Sequence, residues 1–109
     1  MSYDFRMIVD AGGETPGIVF DDLNYTYNVS PMYYDAFDGN KGVNILQGKT
    51  GEECIPLLET AIKKFKADPE KYQKLNPKNG WGDYSGALRV LEELLVWCQE
   101  APKATMDIC

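Results

Sequence analysis

Histidine is absent from these 109 residues, and that absence excludes a good deal of chemistry. It removes the commonest general base, the Ser-His-Asp and Cys-His nucleophile arrangements, and every imidazole metal site. Cysteine is scarce. Cys54, Cys98 and Cys109 are odd in number, widely spaced and contain no Cys-x-x-Cys pair, so neither a disulfide framework nor a structural zinc site is expected, and no cofactor is implied. The longest strongly apolar run, Leu94 to Cys98, is far shorter than the roughly 20 residues that cross a bilayer. No basic segment leads into an apolar one at the start, so no secretion signal is expected. Repeats, linkers and low-complexity tracts are missing too. The expectation is a cytoplasmic, reduced setting without a membrane partner.

What is present is ordinary in amount and uneven in placement. The chain is 44% hydrophobic and 26% charged, which suits one globular domain spanning residues 1–109 with a core of its own. Its net charge of −6 is concentrated at one end. Residues 1–38 carry Asp4, Asp10, Glu14, Asp21, Asp22, Asp35 and Asp38 against Arg6 alone, while the remainder balances ten acids with ten bases. The same segment holds eight of the thirteen aromatic residues. Lysines bunch at Lys63, Lys64, Lys66, Lys71, Lys74 and Lys78 without forming the dominant basic face that a general nucleic-acid binder needs. Direct nucleic-acid binding is not expected.

Periodicity predicts the elements. Tyr3, Phe5, Met7 and Val9 alternate with Asp4, Arg6 and Ile8, a half-buried strand. A Gly- and Pro-rich turn over residues 11–17 leads into a second strand from Gly17, broken or bulged at Asp21-Asp22 and resuming from Leu23 to Val29. Ser30-Pro31 has the form of a cap followed by a first-turn proline, opening a helix to about Phe37, and a Gly/Asn-rich loop runs on to Gly48. Thr50-Gly51-Glu52-Glu53 has capping-box form. Ile55, Leu58, Ile62 and Phe65 follow at helical spacing, with Pro56 either kinking the first turn or starting the regular helix. Asp68-Pro69 opens a short helix through about Leu75. After a loop at residues 76–82, Asp83 caps the strongest helix, Tyr84 to about Glu100, and residues 104–109 read as a final strand. Strands first and helices after them imply an α+β fold: a small antiparallel sheet, made of an N-terminal hairpin or meander plus the C-terminal strand, packed on one face by three to four helices.

No motif names a reaction. Gly48-Lys49-Thr50 copies the end of a phosphate-binding loop, but the first glycine of that pattern would fall at Val43, one residue from Gly42. A turn with a capping threonine explains the string as well. Carboxylate chemistry from Asp35, Asp38 or Asp83 is formally open, though their spacing marks no site. Two segments are unusual. Tyr25, Tyr27, Tyr33 and Tyr34 crowd into ten residues, and Asn79-Gly80-Trp81-Gly82-Asp83-Tyr84 sets a tryptophan between glycines just before a helix. Tyr and Trp combine a large apolar face with a polar tip and dominate binding hot spots. Two placements fit Trp81, a plug at the edge of the core or a binding anchor.

The blocks Asn24-Tyr-Thr-Tyr-Asn-Val-Ser-Pro-Met32 and Asn76-Pro-Lys-Asn-Gly-Trp-Gly-Asp-Tyr84 resemble those of small proteins encoded by bacteriophages and prophages. Lys49-Thr-Gly-Glu-Glu53 and Ala101-Pro-Lys-Ala-Thr105 add to the likeness, which covers most of the chain. The resemblance implies a short accessory protein acting in the cytosol of a bacterial host. The leading expectation is a non-enzymatic protein that binds and inhibits a host protein or nucleoprotein complex of the antiphage defence, such as a CRISPR complex. The residues expected to make that contact are Asp21, Asp22, Tyr25, Tyr27, Tyr33, Tyr34, Asp35 and Asp38. A second expectation is a nucleotide-signal binder using Asn79, Trp81, Asp83 and Tyr84, with bases stacked on aromatics and phosphate at the helix start. A carboxylate-dependent hydrolase is the third. Exposed tyrosines on an edge strand would also suit a homodimer.

Overall fold

The alternation of Tyr3, Phe5 and Met7 with polar residues builds strand β1, Ser2–Val9, and sends those three side chains into the core. A computed structural model describes residues 2–10, 12, 13, 17–37, 39 and 41–109. Strand β2, Gly17–Thr26, pairs antiparallel with β1, and β3, Thr105–Ile108, pairs antiparallel on its other side. The order is β2-β1-β3. Helices α1 (Ser30–Ala36), α2 (Gly51–Ala67), α3 (Pro69–Gln73) and α4 (Tyr84–Glu100) complete an α+β fold. Leu58, Phe65, Leu91 and Leu94 from α2 and α4 meet Tyr3, Phe5, Met7 and Met106 from the sheet in one continuous core.

Several local expectations change. Of the two readings at Asp21-Asp22, a break or a bulge, the bulge holds, and β2 is one continuous strand. The register slips between Phe5 and Ile8, and Asp22 takes the left-handed backbone at φ 64°, a conformation Asp tolerates better than most residues. The strand also stops at Thr26, three residues before Val29. Thr26 accepts from the Asn28 N–H and caps a 3-10 turn at Tyr27–Val29, so Ser30 is already inside α1 instead of capping it. Residues Gly42–Leu46, expected as loop, form a second 3-10 turn that buries Val43 and Leu46. Pro56 does not start α2, which runs from Gly51 with the proline inside it. It sits on the exposed side, where the carbonyl left without a donor faces water rather than core. Val9 lies exposed at the hairpin end instead of continuing the buried row.

The caps predicted for α2 and α4 hold. Thr50 and Glu53 form the reciprocal capping box of α2, at 3.2 and 2.9 Å, and Asp83 accepts from the Gly86 N–H at 2.7 Å to cap α4.

One side-chain latch ties α1 to α3. Asp35 accepts from the Tyr72 hydroxyl at 2.6 Å and pairs with Lys71 at 3.0 Å. Those partners, the hydroxyl first, hold its carboxyl below the usual range. Because the folded-state carboxyl titrates below its unfolded value, the stabilisation is complete above about pH 4 and fades as pH falls through the folded value. Tyr72→Phe should cost about 1 kcal/mol at neutral pH. It should also shrink the acid-side decline of stability, read by denaturant melts at neutral pH and at about pH 3. An unchanged acid limb would show that the latch does not act.

Candidate functional site

The tyrosine segment is mostly a packing device, which corrects its expected role. Tyr33 is fully buried, and its hydroxyl donates to the Ala87 carbonyl at 2.9 Å. Burial pushes its pKa well up, and it offers no surface to a partner. Tyr27 is half-buried with its ring edge-on to Tyr3 at 4.2 Å, and burial lifts the Tyr3 hydroxyl to about 12. Tyr25 shares a face with Tyr3 through their paired register, and its hydroxyl accepts from the Asp83 N–H at 3.1 Å. Only Tyr34 of the four is exposed, lying over Gly42. Asp35 is engaged by Tyr72 and Lys71, and Asp38 lies outside the described residues.

Tyr25 has a second consequence, since it fixes the loop that presents Trp81. Its hydroxyl occupies the space a side chain at Gly86 would need, and a Cβ at Gly82 would come within 2.5 Å of the Thr26 methyl. Gly82 also has φ 92°. Both positions therefore require glycine, because the end of β2 is pressed against the start of α4. Further bonds brace the loop: Asn79 accepts from the Trp81 N–H at 2.9 Å, and Asn76 accepts from the Tyr84 N–H at 2.9 Å. Held in this way, Trp81 is 68% exposed. With Ser2, Asn24, Tyr25, Thr26 and Gly82 it lines a shallow groove of about 440 Å³. It is no core plug.

Most of the helix start expected to take a phosphate is already engaged. The N–H groups of Asp83, Tyr84 and Gly86 donate to Tyr25, Asn76 and Asp83 respectively. Tyr84 stacks on Phe65 at 5.7 Å and donates its hydroxyl to the Phe65 carbonyl, so it belongs to the core. No lysine or arginine lines the Trp81 groove. The phosphate-loop string is also spent elsewhere: Gly48 N–H donates to Met106 at 2.9 Å, and the Lys49 carbonyl accepts from Met106 N–H at 2.8 Å. Cys54 and Cys98 are buried free thiols, and the hydrogen bond between them together with burial pushes the Cys54 thiol up. Among the described residues no three acidic or thiol side chains gather as metal ligands, and no helix is long and apolar enough to cross a membrane.

The acids of the N-terminal segment do gather. Asp4, Asp21 and Asp22 are exposed and line a hollow on the outer side of the sheet together with Arg6, Leu23, Asn24 and Cys109. Arg6 is committed to Asp107 at 2.6 Å, and Asp107 is lowered by Arg6 and then by Gln47. Among the described residues, none of the three acids has an ion-pair partner. Asn24 belongs to this hollow and to the Trp81 groove alike, so acids and tryptophan form one strip along β2. Asp4, Ser2, Asn24 and Thr26 were not among the expected contact residues. Their signal was the polar half of the same alternation that revealed the strands.

No protein-family model matches the chain, and no curated protein or solved structure shows significant similarity to it.

Trp81→Ala should leave stability within about 0.5 kcal/mol of the parent, as expected for an exposed side chain. Gly86→Ala should destabilise by about 1–3 kcal/mol by displacing Tyr25. Thermal melts of both variants check this. A large loss from Trp81→Ala would return that residue to the core.

Proposed function

We propose that the protein acts by binding, through the acidic strip of β2 and the neighbouring Trp81, and that its partner presents a basic surface. The observation that carries this reading is the juxtaposition of three carboxylates, Asp4, Asp21 and Asp22, that have no ion-pair partner among the described residues, with an exposed and braced tryptophan. Carboxylates without ion-pair partners create a negative potential that steers and orients a lysine- and arginine-lined partner. A rigid aromatic anchor adds contact area at little entropic cost.

The phage resemblance supplies the setting. Within it the partner is a host protein or nucleoprotein complex of the antiphage defence, whose basic nucleic-acid channel the strip occupies and blocks. The nucleotide-signal alternative has less to support it, because the Asp83, Tyr84 and Gly86 N–H groups at the start of α4 are taken and no lysine or arginine lines the groove.

The test uses a triple variant, Asp4→Lys with Asp21→Lys and Asp22→Asn. Asparagine is chosen at position 22 because it tolerates the left-handed backbone there. In affinity capture from host lysate, the parent should retain a partner that is released by raising salt. The variant should retain at least about tenfold less, which corresponds to about 1.4 kcal/mol. Capture that is equal in both and insensitive to salt would contradict the reading.

A further inference from the structure

Resting on that reading, the geometry points to strand addition as the mode of binding: a basic, extended segment of the partner pairs with the free edge of β2 beside Trp81. The two edges of the sheet are unequal. The outer edge of β3 is closed by residues 48–50, through the Gly48 and Lys49 bonds to Met106 and the bridge between Thr50 and Thr105. Nothing comparable covers β2 among the described residues.

The direction of its backbone groups follows from the ladder. Asp4 exchanges both of its main-chain bonds with Cys109, N–H to O at 3.2 Å and O to N–H at 2.9 Å. Adjacent residues of an antiparallel strand point their backbone groups to opposite sides, so Tyr3 and Phe5 bond toward β2. Their register partners are Tyr25 and Leu23, which therefore turn inward to β1. Asn24 between them and Thr26 beyond turn outward. The Thr26 carbonyl opens the following 3-10 turn, which leaves the N–H and C=O of Asn24 and the N–H of Thr26 for a guest strand.

Charge selects the guest. A second copy would bring another Asp21-Asp22 bulge and another net charge of −6 to the same edge, the arrangement by which edge strands discourage self-pairing. A strand bearing lysine or arginine at alternate positions meets the opposite field. One of its cations can lie over the exposed Trp81 ring while others face Asp4, Asp21 and Asp22. Backbone pairing supplies the affinity common to any strand, and the charges and tryptophan supply the preference.

The probe is an end-blocked nonapeptide alternating lysine and threonine, added at low salt to isotopically labelled protein and followed by NMR. Strand addition predicts that it slows hydrogen exchange of the Asn24 amide at least about tenfold at saturation and shifts the Trp81 indole N–H. The same peptide with glutamate for lysine should leave both unchanged. A version N-methylated at its central amides, with charge intact, should bind at least about tenfold more weakly. Equal binding of the N-methylated peptide, with Asn24 exchange unaltered, overturns strand addition while leaving the acidic strip as a binding surface. Failure of the lysine peptide to perturb the strip at millimolar concentration overturns both. Concentration-dependent protection of Asn24 without peptide would mean that a second copy takes the edge, and it too overturns the proposal.

Discussion

Strand β3 determines which surfaces of this molecule are closed and which are open. It pairs with β1 along Phe5–Ile8 on one side and receives bonds from residues 48–50 on the other. That insertion ties the end of the chain to the turn before α2 and satisfies the backbone of one sheet edge. Its core-facing Met106 packs among α2, α4 and β1, while Asp107 on the outer face absorbs the charge of Arg6. Buried backbone groups must be paired, so sealing one edge and one face in this way leaves polar backbone and unpaired charge only where water can reach them. The open edge is that of β2, and Asp4 of β1 lies with Asp21 and Asp22 of β2 in the hollow beside it.

The opposite corner is organised by the contact between β2 and α4. Tyr25 fills the space left by Gly86, takes the Asp83 N–H, and so joins the last turn of the strand to the first turn of the helix. A loop flanked by glycines would ordinarily sample many conformations. Here the Asn76, Asn79 and Tyr25 bonds restrict it, and an exposed tryptophan is held in a defined place beside the acids. Rigid presentation of a large side chain lowers the entropic cost of binding, which is why the loop and the acidic strip are best understood together.

Much of this architecture is legible in the sequence. The period-two run at Tyr3–Met7, the Thr50–Glu53 box and the Asp83 cap each act through neighbours within a few residues, and each reads correctly. What the sequence conceals depends on contacts distant along the chain. The four tyrosines look alike as a string, yet Tyr33 is assigned to the core by Ala87 and Tyr25 to a helix start by Gly86. Asp35 looks like part of an acidic surface until Tyr72, far along the chain, claims it. Trp81 runs the other way, since a residue type usually found largely buried is lifted outward by bonds to its own loop. The polar residues Asp4 and Asn24 attract no notice singly. They become significant only when the pairing places them side by side at an unsealed edge.

The central claim is that one strip, centred on Asn24 and Trp81, is where the protein meets its partner. Site-specific photocrosslinking in host cells addresses it most directly. A benzophenone amino acid is placed at Asn24 or Trp81, and at Val96 or Lys103 as exposed positions outside the strip. The account predicts that Asn24 and Trp81 crosslink to the same lysine- or arginine-rich segment of one protein, while the other two positions do not. Crosslinks arising equally from all four positions, or only from Val96 and Lys103, would contradict it.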